Sequence, residues 1–185
     1  MKKRLFAGLL AAMMVVSMMG TTAFAVEPKM INTERNTEEC IEELTVTVDS
    51  IEVTGEGIKL EFISLEEMEQ LISDSEAGIS TQNWFPDVVK VTFTRMKKAD
   101  GTEYCRVVLL NVGFPFDRVD VDGVVWLYDM SGIERGRRFI DEPKLVYNVA
   151  RPAEIHPIGG HYATGSFELR LSDGDDGTVY RGTFI

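Results

Sequence analysis

The 185-residue sequence holds two histidines, two cysteines and fewer basic than acidic side chains, 19 against 30. An acidic body is repelled by phosphate backbones and by anionic lipid surfaces, so nucleic acid and charged membranes are poor partners. After the first 25 residues no apolar run approaches the roughly 20 residues that a membrane span needs, which argues against stable membrane insertion. There is no nucleophile elbow. The two histidines, His156 and His161, flank Pro157, Gly159 and Gly160, which argue against a helix and hence against a metalloprotease helix motif. Internal repeats and low-complexity linkers are also missing.

The N-terminus does carry a pattern. Met1-Lys2-Lys3-Arg4 is a short positive start, Leu5 to Met19 is apolar without a charge, and Ala23-Phe24-Ala25 follows a break at Gly20. This order reads as a secretory signal peptide over residues 1–25, cut after Ala25, of bacterial type, and implies a secreted, extracellular protein. Loss of Lys2, Lys3 and Arg4 leaves 16 basic against 30 acidic residues, a net charge near −14. Residues 26–43 are polar and read as a leader with a helical turn around 37–43. Residues 44–185 read as a single β domain, long enough to bury a core without covalent staples.

Alternation of apolar and polar residues dominates that domain. Leu44, Val46 and Val48 alternate with polar neighbours, and Ile51 and Val53 continue one position out of phase. A bulge at 49–50 explains the slip. The expectation is a hairpin between this strand and Ile58 to Ser64. Leu65, Met68, Leu71 and Ile72 then fall at helical spacing, with Ser64 and Glu67 placed as a capping box, so one short helix is expected near 65–74. Strands follow over 88–96, 102–112 and 119–129 (the last with its own turn at Asp122-Gly123), and over 137–149, interrupted by Pro143. Residues 150–164 look irregular, and a hairpin closes the chain over 166–171 and 178–184. The fold expected is mainly β: an antiparallel two-sheet sandwich, or an open barrel, with one helix.

Candidate residues are sparse. Trp84, Phe85, Phe114, Phe116 and Tyr162 are aromatic residues in loop contexts and are candidates for a binding face. Arg135, Arg137 and Arg138 form a basic cluster suited to carboxylates or other anions. Asp173, Asp175 and Asp176 crowd one hairpin tip and are the candidate metal ligands, for calcium; a solvated turn needs the same residues. Asp120, Asp122, Gly123 and Asp129 resemble part of a calcium loop, but Arg118 stands where its first acid belongs. Cys40 and Cys105, 65 residues apart, invite a disulfide that contributes roughly 4 kcal/mol in the chain-entropy model. No organic cofactor is indicated. The reading that follows is a secreted, non-enzymatic β domain that binds an extracellular protein, glycan or cell-surface partner through loops at one end. Its rival is a secreted hydrolase using a Cys105/His161 pair or carboxylates such as Glu61, Glu103, Asp120 and Glu168.

Overall fold

The pleat of a strand sends successive side chains to opposite faces, and the alternation in this chain is strong enough to build two sheets with one shared interior. A computed structural model describes residues 38–54, 57–77, 88–112, 118–174 and 176–185. One sheet contains β1 (Glu39–Glu43), β3 (Lys59–Phe62), β4 (Val88–Lys97), β5 (Glu103–Asn111) and β8 (Arg151–Ile155). The other runs in the order β2 (Val46–Thr54), β10 (Asp176–Phe184), β9 (Thr164–Asp173), β6 (Arg118–Tyr128) and β7 (Glu134–Val146). Pairing is antiparallel throughout, except that β3 runs parallel to β4. The architecture is an open two-sheet sandwich with a single helix, α1 (Leu65–Glu76), among the described residues.

Val89, Val91 and Phe93 of β4 and Cys105, Val107 and Leu109 of β5 face Val121, Val125 and Leu127 of β6 and Phe167, Leu169 and Leu171 of β9. All are buried. The centre is aromatic: Phe93 lies 4.9 Å from Phe184 and 5.5 Å from Phe167, ring centroid to centroid. Tilted rings at such distances add attraction beyond the area they bury. A smaller apolar cluster, Met68 with Val108 and Leu110, seats α1 on the outer face of the first sheet.

The start of α1 is held as its sequence implies, with one exchange of partners. The Ser64 Oγ accepts the Glu67 N–H at 3.1 Å. Glu67 binds Lys90 Nζ at 2.7 Å, and Glu43 Oε1 accepts the Leu65 N–H at 2.9 Å. Two carboxylates thus sit at the positive end of the helix, and one of them comes from β1.

Several expectations are corrected. Residues 39–43 are strand, because β1 covers one half of the β4 edge while β3 covers the other. β2 and β3 form no hairpin, because they belong to different sheets. Residues 151–155 are the edge strand β8, where Pro152 needs no ladder hydrogen bond on its free side. Gly123 is not a turn: it pairs with Ile140 and Leu169 in mid-sheet, and a Cβ there would collide with the Glu168 carbonyl oxygen. Pro143 and Lys144 form a bulge in β7, with Lys144 at φ 64° and its N–H bonded to Asp120 Oδ1 at 2.7 Å. The slip in β2 is a bulge at Asp49: Val48 pairs with Gly182 and Ser50 with Arg181.

The disulfide is also corrected: both cysteines are free. Cys40 pairs with Met96, which pairs with Tyr104, so Cys40 lies on the outer face. Cys105 pairs with Arg95 and points into the core. Two strand spacings, about 9–10 Å, and opposite faces separate the thiols, beyond the roughly 7 Å that a disulfide bridges.

Two substitutions check this packing by urea unfolding. Phe167→Ala, at the aromatic centre, is expected to cost about 3–5 kcal/mol. Gly123→Ala is expected to cost about 1–3 kcal/mol, as overpacking does; an unchanged midpoint contradicts the central position of Gly123.

Candidate functional site

Strand polarity gathers three connections at one end of the sandwich: the β4–β5 turn, the β6–β7 turn and the loop from β8 to β9. The β6–β7 turn is built on Asp129. Its Oδ1 accepts the N–H groups of Ser131 (2.8 Å) and Ile133 (3.0 Å), and its Oδ2 accepts Nε and Nη2 of Arg135 at 2.9 and 2.7 Å. The Ile133 backbone, with the Arg135 and Ser131 donors, holds the Asp129 carboxyl below its ordinary range. Gly132 closes the turn at φ 75°.

The β8–β9 loop is stitched to three strands. Ile158 N–H bonds the Arg135 carbonyl at 2.6 Å, Glu103 N–H bonds the Gly160 carbonyl at 2.7 Å, and Ala163 N–H bonds the Tyr128 carbonyl at 2.8 Å. These fixed loops hold aliphatic side chains out in water: Met130 is 96% exposed, Ile158 76% and Ile133 58%. Beside them lies an open depression of about 460 Å³ lined by Arg95, Asp129, Met130, His161, Tyr162 and Ala163.

Arg95 forms the floor. Its guanidinium donates to the carbonyls of Tyr162 (3.2 Å) and Ala163 (3.3 Å), and its Nε lies 2.9 Å from Glu42. Its Cζ sits 4.5 Å from the Tyr162 ring centroid. The Tyr162 ring is therefore buried rather than displayed, and burial pushes its hydroxyl well up, with Cys105 adding to the effect. Burial also pushes the Cys105 thiol up to about 12. A thiol so held is an inert core group. His161 instead faces Glu103, with Nδ1 3.4 Å from Oε1.

On the outer face next to this end, Arg106 Nη2 is shared among Glu38 Oε2 (2.8 Å), Tyr104 Oη (2.9 Å) and Glu154 Oε1 (2.9 Å). His156 stacks on Tyr104 at 4.8 Å and its Nε2 lies 3.4 Å from Glu154. The Tyr104 hydroxyl and Arg106 hold the Glu38 carboxyl low, while burial, with Glu38, keeps Tyr104 protonated. This is a saturated charge network.

The expected residues fare unevenly. Tyr162 lines the depression, whereas Arg135 is not among its lining residues and is occupied by Asp129, which is. Arg137 pairs with Glu134 at 3.3 Å, and Arg138 is exposed on the opposite face of β7. The three arginines therefore do not form one anion fork. Trp84, Phe85, Phe114 and Phe116 lie outside the described residues; their described flanks, Val88, Val112 and Val119, are at the other end of the sandwich. The calcium expectation falls on the β9–β10 turn, also at that other end. There Asp173 is exposed, while Asp175 and the Asp176 side chain lie outside the described residues. Asp120 and Asp129, read as parts of a calcium loop, are eight strand residues apart and separately engaged. Sequence reasoning missed Met130, Ile133 and Ile158, although apolar residues beside Asp129 and Gly132 in a turn were the available signal. No family model, curated protein or solved structure matches the chain.

The Asp129 clamp has a defined pH dependence. Its folded-state pKa lies below the unfolded value, so the ionised carboxylate stabilises the fold above the ordinary aspartate range, and that contribution is lost as pH falls through the folded value. Asp129→Asn is expected to lower the thermal midpoint at neutral pH and to converge with the parent only in acid below the ordinary aspartate range. A gap that persists unchanged into acid contradicts the clamp.

Proposed function

We propose that the chain works outside the cytoplasmic membrane as a non-enzymatic β-sandwich that binds an extracellular protein through the loops bearing Met130, Ile133 and Ile158. The observation that carries this reading is the display of three aliphatic side chains on loops held by many hydrogen bonds. Burying such groups against a partner releases apolar surface from water, and loops already fixed lose little entropy on binding. Arg135 and Arg137 beside them provide a polar rim. At these loops a glycan is a weaker fit, because sugar stacking uses exposed aromatic rings and Tyr162, the aromatic candidate described there, is buried against Arg95. The signal-like N-terminus supports export. The acidic charge supports an extracellular protein over nucleic acid or anionic lipid.

Electrostatics favour binding over hydrolysis. General acid–base chemistry uses groups tuned toward the working pH. Every described group whose pKa clearly departs from its ordinary value moves away from neutrality. The carboxyls of Glu38, Glu61, Asp100 and Asp129 go down. The thiols, phenols and cations of Cys40, Cys105, Tyr104, Tyr162, Lys59, Arg106 and Arg181 go up. That pattern suits a charge-stabilised scaffold.

The test is a photo-crosslinking residue placed at Met130, at Ile158 and, as a distant control, at Asp173. The expected result is one defined extracellular protein captured from the first two positions and lost on Ile133→Asp. Equal capture from Asp173, or turnover of an ester, peptide or glycan substrate by the unmodified protein, overturns the reading.

A further inference from the structure

We propose that the free edge of β2 pairs antiparallel with β2 of a second copy of this chain, setting Val48 against the second copy's Ile51 and Val46 against its Val53. β2 closes one side of its sheet: β10 pairs with it, and among the described residues no strand pairs with its far side. Its inward-facing row is Val46, Val48, Ile51 and Val53, which pair in that order with Phe184, Gly182, Tyr180 and Thr178 of β10. Across the neighbouring strands β10 and β9 that face of the sheet is buried, but here Val48 is 37% exposed, Ile51 56% and Val53 54%. β2 overhangs the interior with apolar side chains that the described residues cover only in part.

The bulge at Asp49 makes this edge complementary to itself. In an unbroken strand, residues on one face are separated by even steps, so a register pairing Val48 with Ile51 sets an inward side chain against an outward one. The extra residue brings both inward. The backbone agrees. Thr45 and Ile185 exchange both of their hydrogen bonds, at 2.8 and 3.1 Å. Antiparallel alternation then turns the N–H and C=O groups of Val46 and Val48 away from β10, and past the bulge those of Ile51 and Val53. The same four residues thus carry the free backbone groups and an apolar row of side chains, three of them exposed and Val46 half-buried.

Charge fits this register as well. Asp49 faces Ser50 and Glu52 faces Thr47, so no carboxylate stands directly opposite another. Glu52 is also held by Arg181 at 3.3 Å. A second copy supplies this match about a two-fold axis, with the same patch on both sides. Because the two β2 strands run in opposite directions, the loop ends bearing Met130 and Ile158 point opposite ways, as in a bivalent bridge. The residual strain is the diagonal approach of the two Asp49 carboxylates.

Sedimentation velocity of the full chain, as processed by the cells that make it, tests the pairing over roughly 1–100 µM. A reversible dimer is expected. Ile51→Lys is expected to weaken it by at least about tenfold, and Asp49→Asn to strengthen it. In a Cys40→Ser background, Thr47→Cys mixed with Glu52→Cys is expected to crosslink faster than either variant alone, which reads the register. Unfolding midpoints check that the variants are folded; if Ile51→Lys unfolds the chain, Asp49→Asn and the mixed cysteines decide. A monomer at every concentration, a dimer indifferent to both substitutions, or crosslinking without preference for the mixture overturns the proposal.

Discussion

The two-residue period of the pleat is the constraint on which the rest of this structure depends. It sends Val91, Phe93, Cys105, Val107, Phe167 and Leu169 to one side of their sheets and closes the interior. The same period sends Tyr104, Arg106, Val108 and Leu110 to the other side, where a charge network covers the first two and α1 the last two. One inserted residue is enough to reverse the sense, as at Asp49. Burial of about 25 cal/mol per Å² of apolar surface enforces the register, since a slip by one residue would exchange core for solvent along a whole strand.

Function in this reading depends on how the ends of that frame are finished. At one end Arg95 and Tyr162 fold inward as a plug, with the two Nη atoms of the guanidinium bonded to two loop carbonyls. Because they plug the end, the aliphatic residues beside them are left to face water. The Asp129 clamp does the same for its turn: one carboxylate absorbs two backbone donors and an arginine, so the turn needs no apolar anchor and Met130 is free to project. Display and rigidity come from the same bonds.

Much of this was legible in the sequence where the cause is local. The helix announces itself through Ser64, Glu67 and the spacing of Leu65, Met68, Leu71 and Ile72, and the bulge through the broken alternation around Asp49. The two-sheet class follows from the same alternation. Strand partnership was not legible, because it depends on residues far apart: β2 seeks β10, 130 positions away, in place of its neighbour β3. β1 was hidden because its local pattern is weak and its pairing with β4 decides its conformation. β8 was hidden by Pro152, whose tolerance depends on being at an edge. The facing of Cys40 and Cys105 depends on register, which spacing does not reveal. At the candidate site, Tyr162 and Arg135 were found by residue type, but a loop side chain that plugs and one that projects look alike in sequence. Tyr162, expected on a binding face, is buried instead, and Met130, of which nothing was expected, projects.

The most direct measurement of the central claim is the reactivity of the two thiols in the native protein. With Cys40 on the outer face of an edge strand and Cys105 in the interior, a thiol reagent is expected to modify Cys40 alone until denaturant is added, and then both. An intact disulfide between them, or equal reactivity of the two in the folded state, contradicts the assignment of faces from which the core, the edge and the loops were all derived.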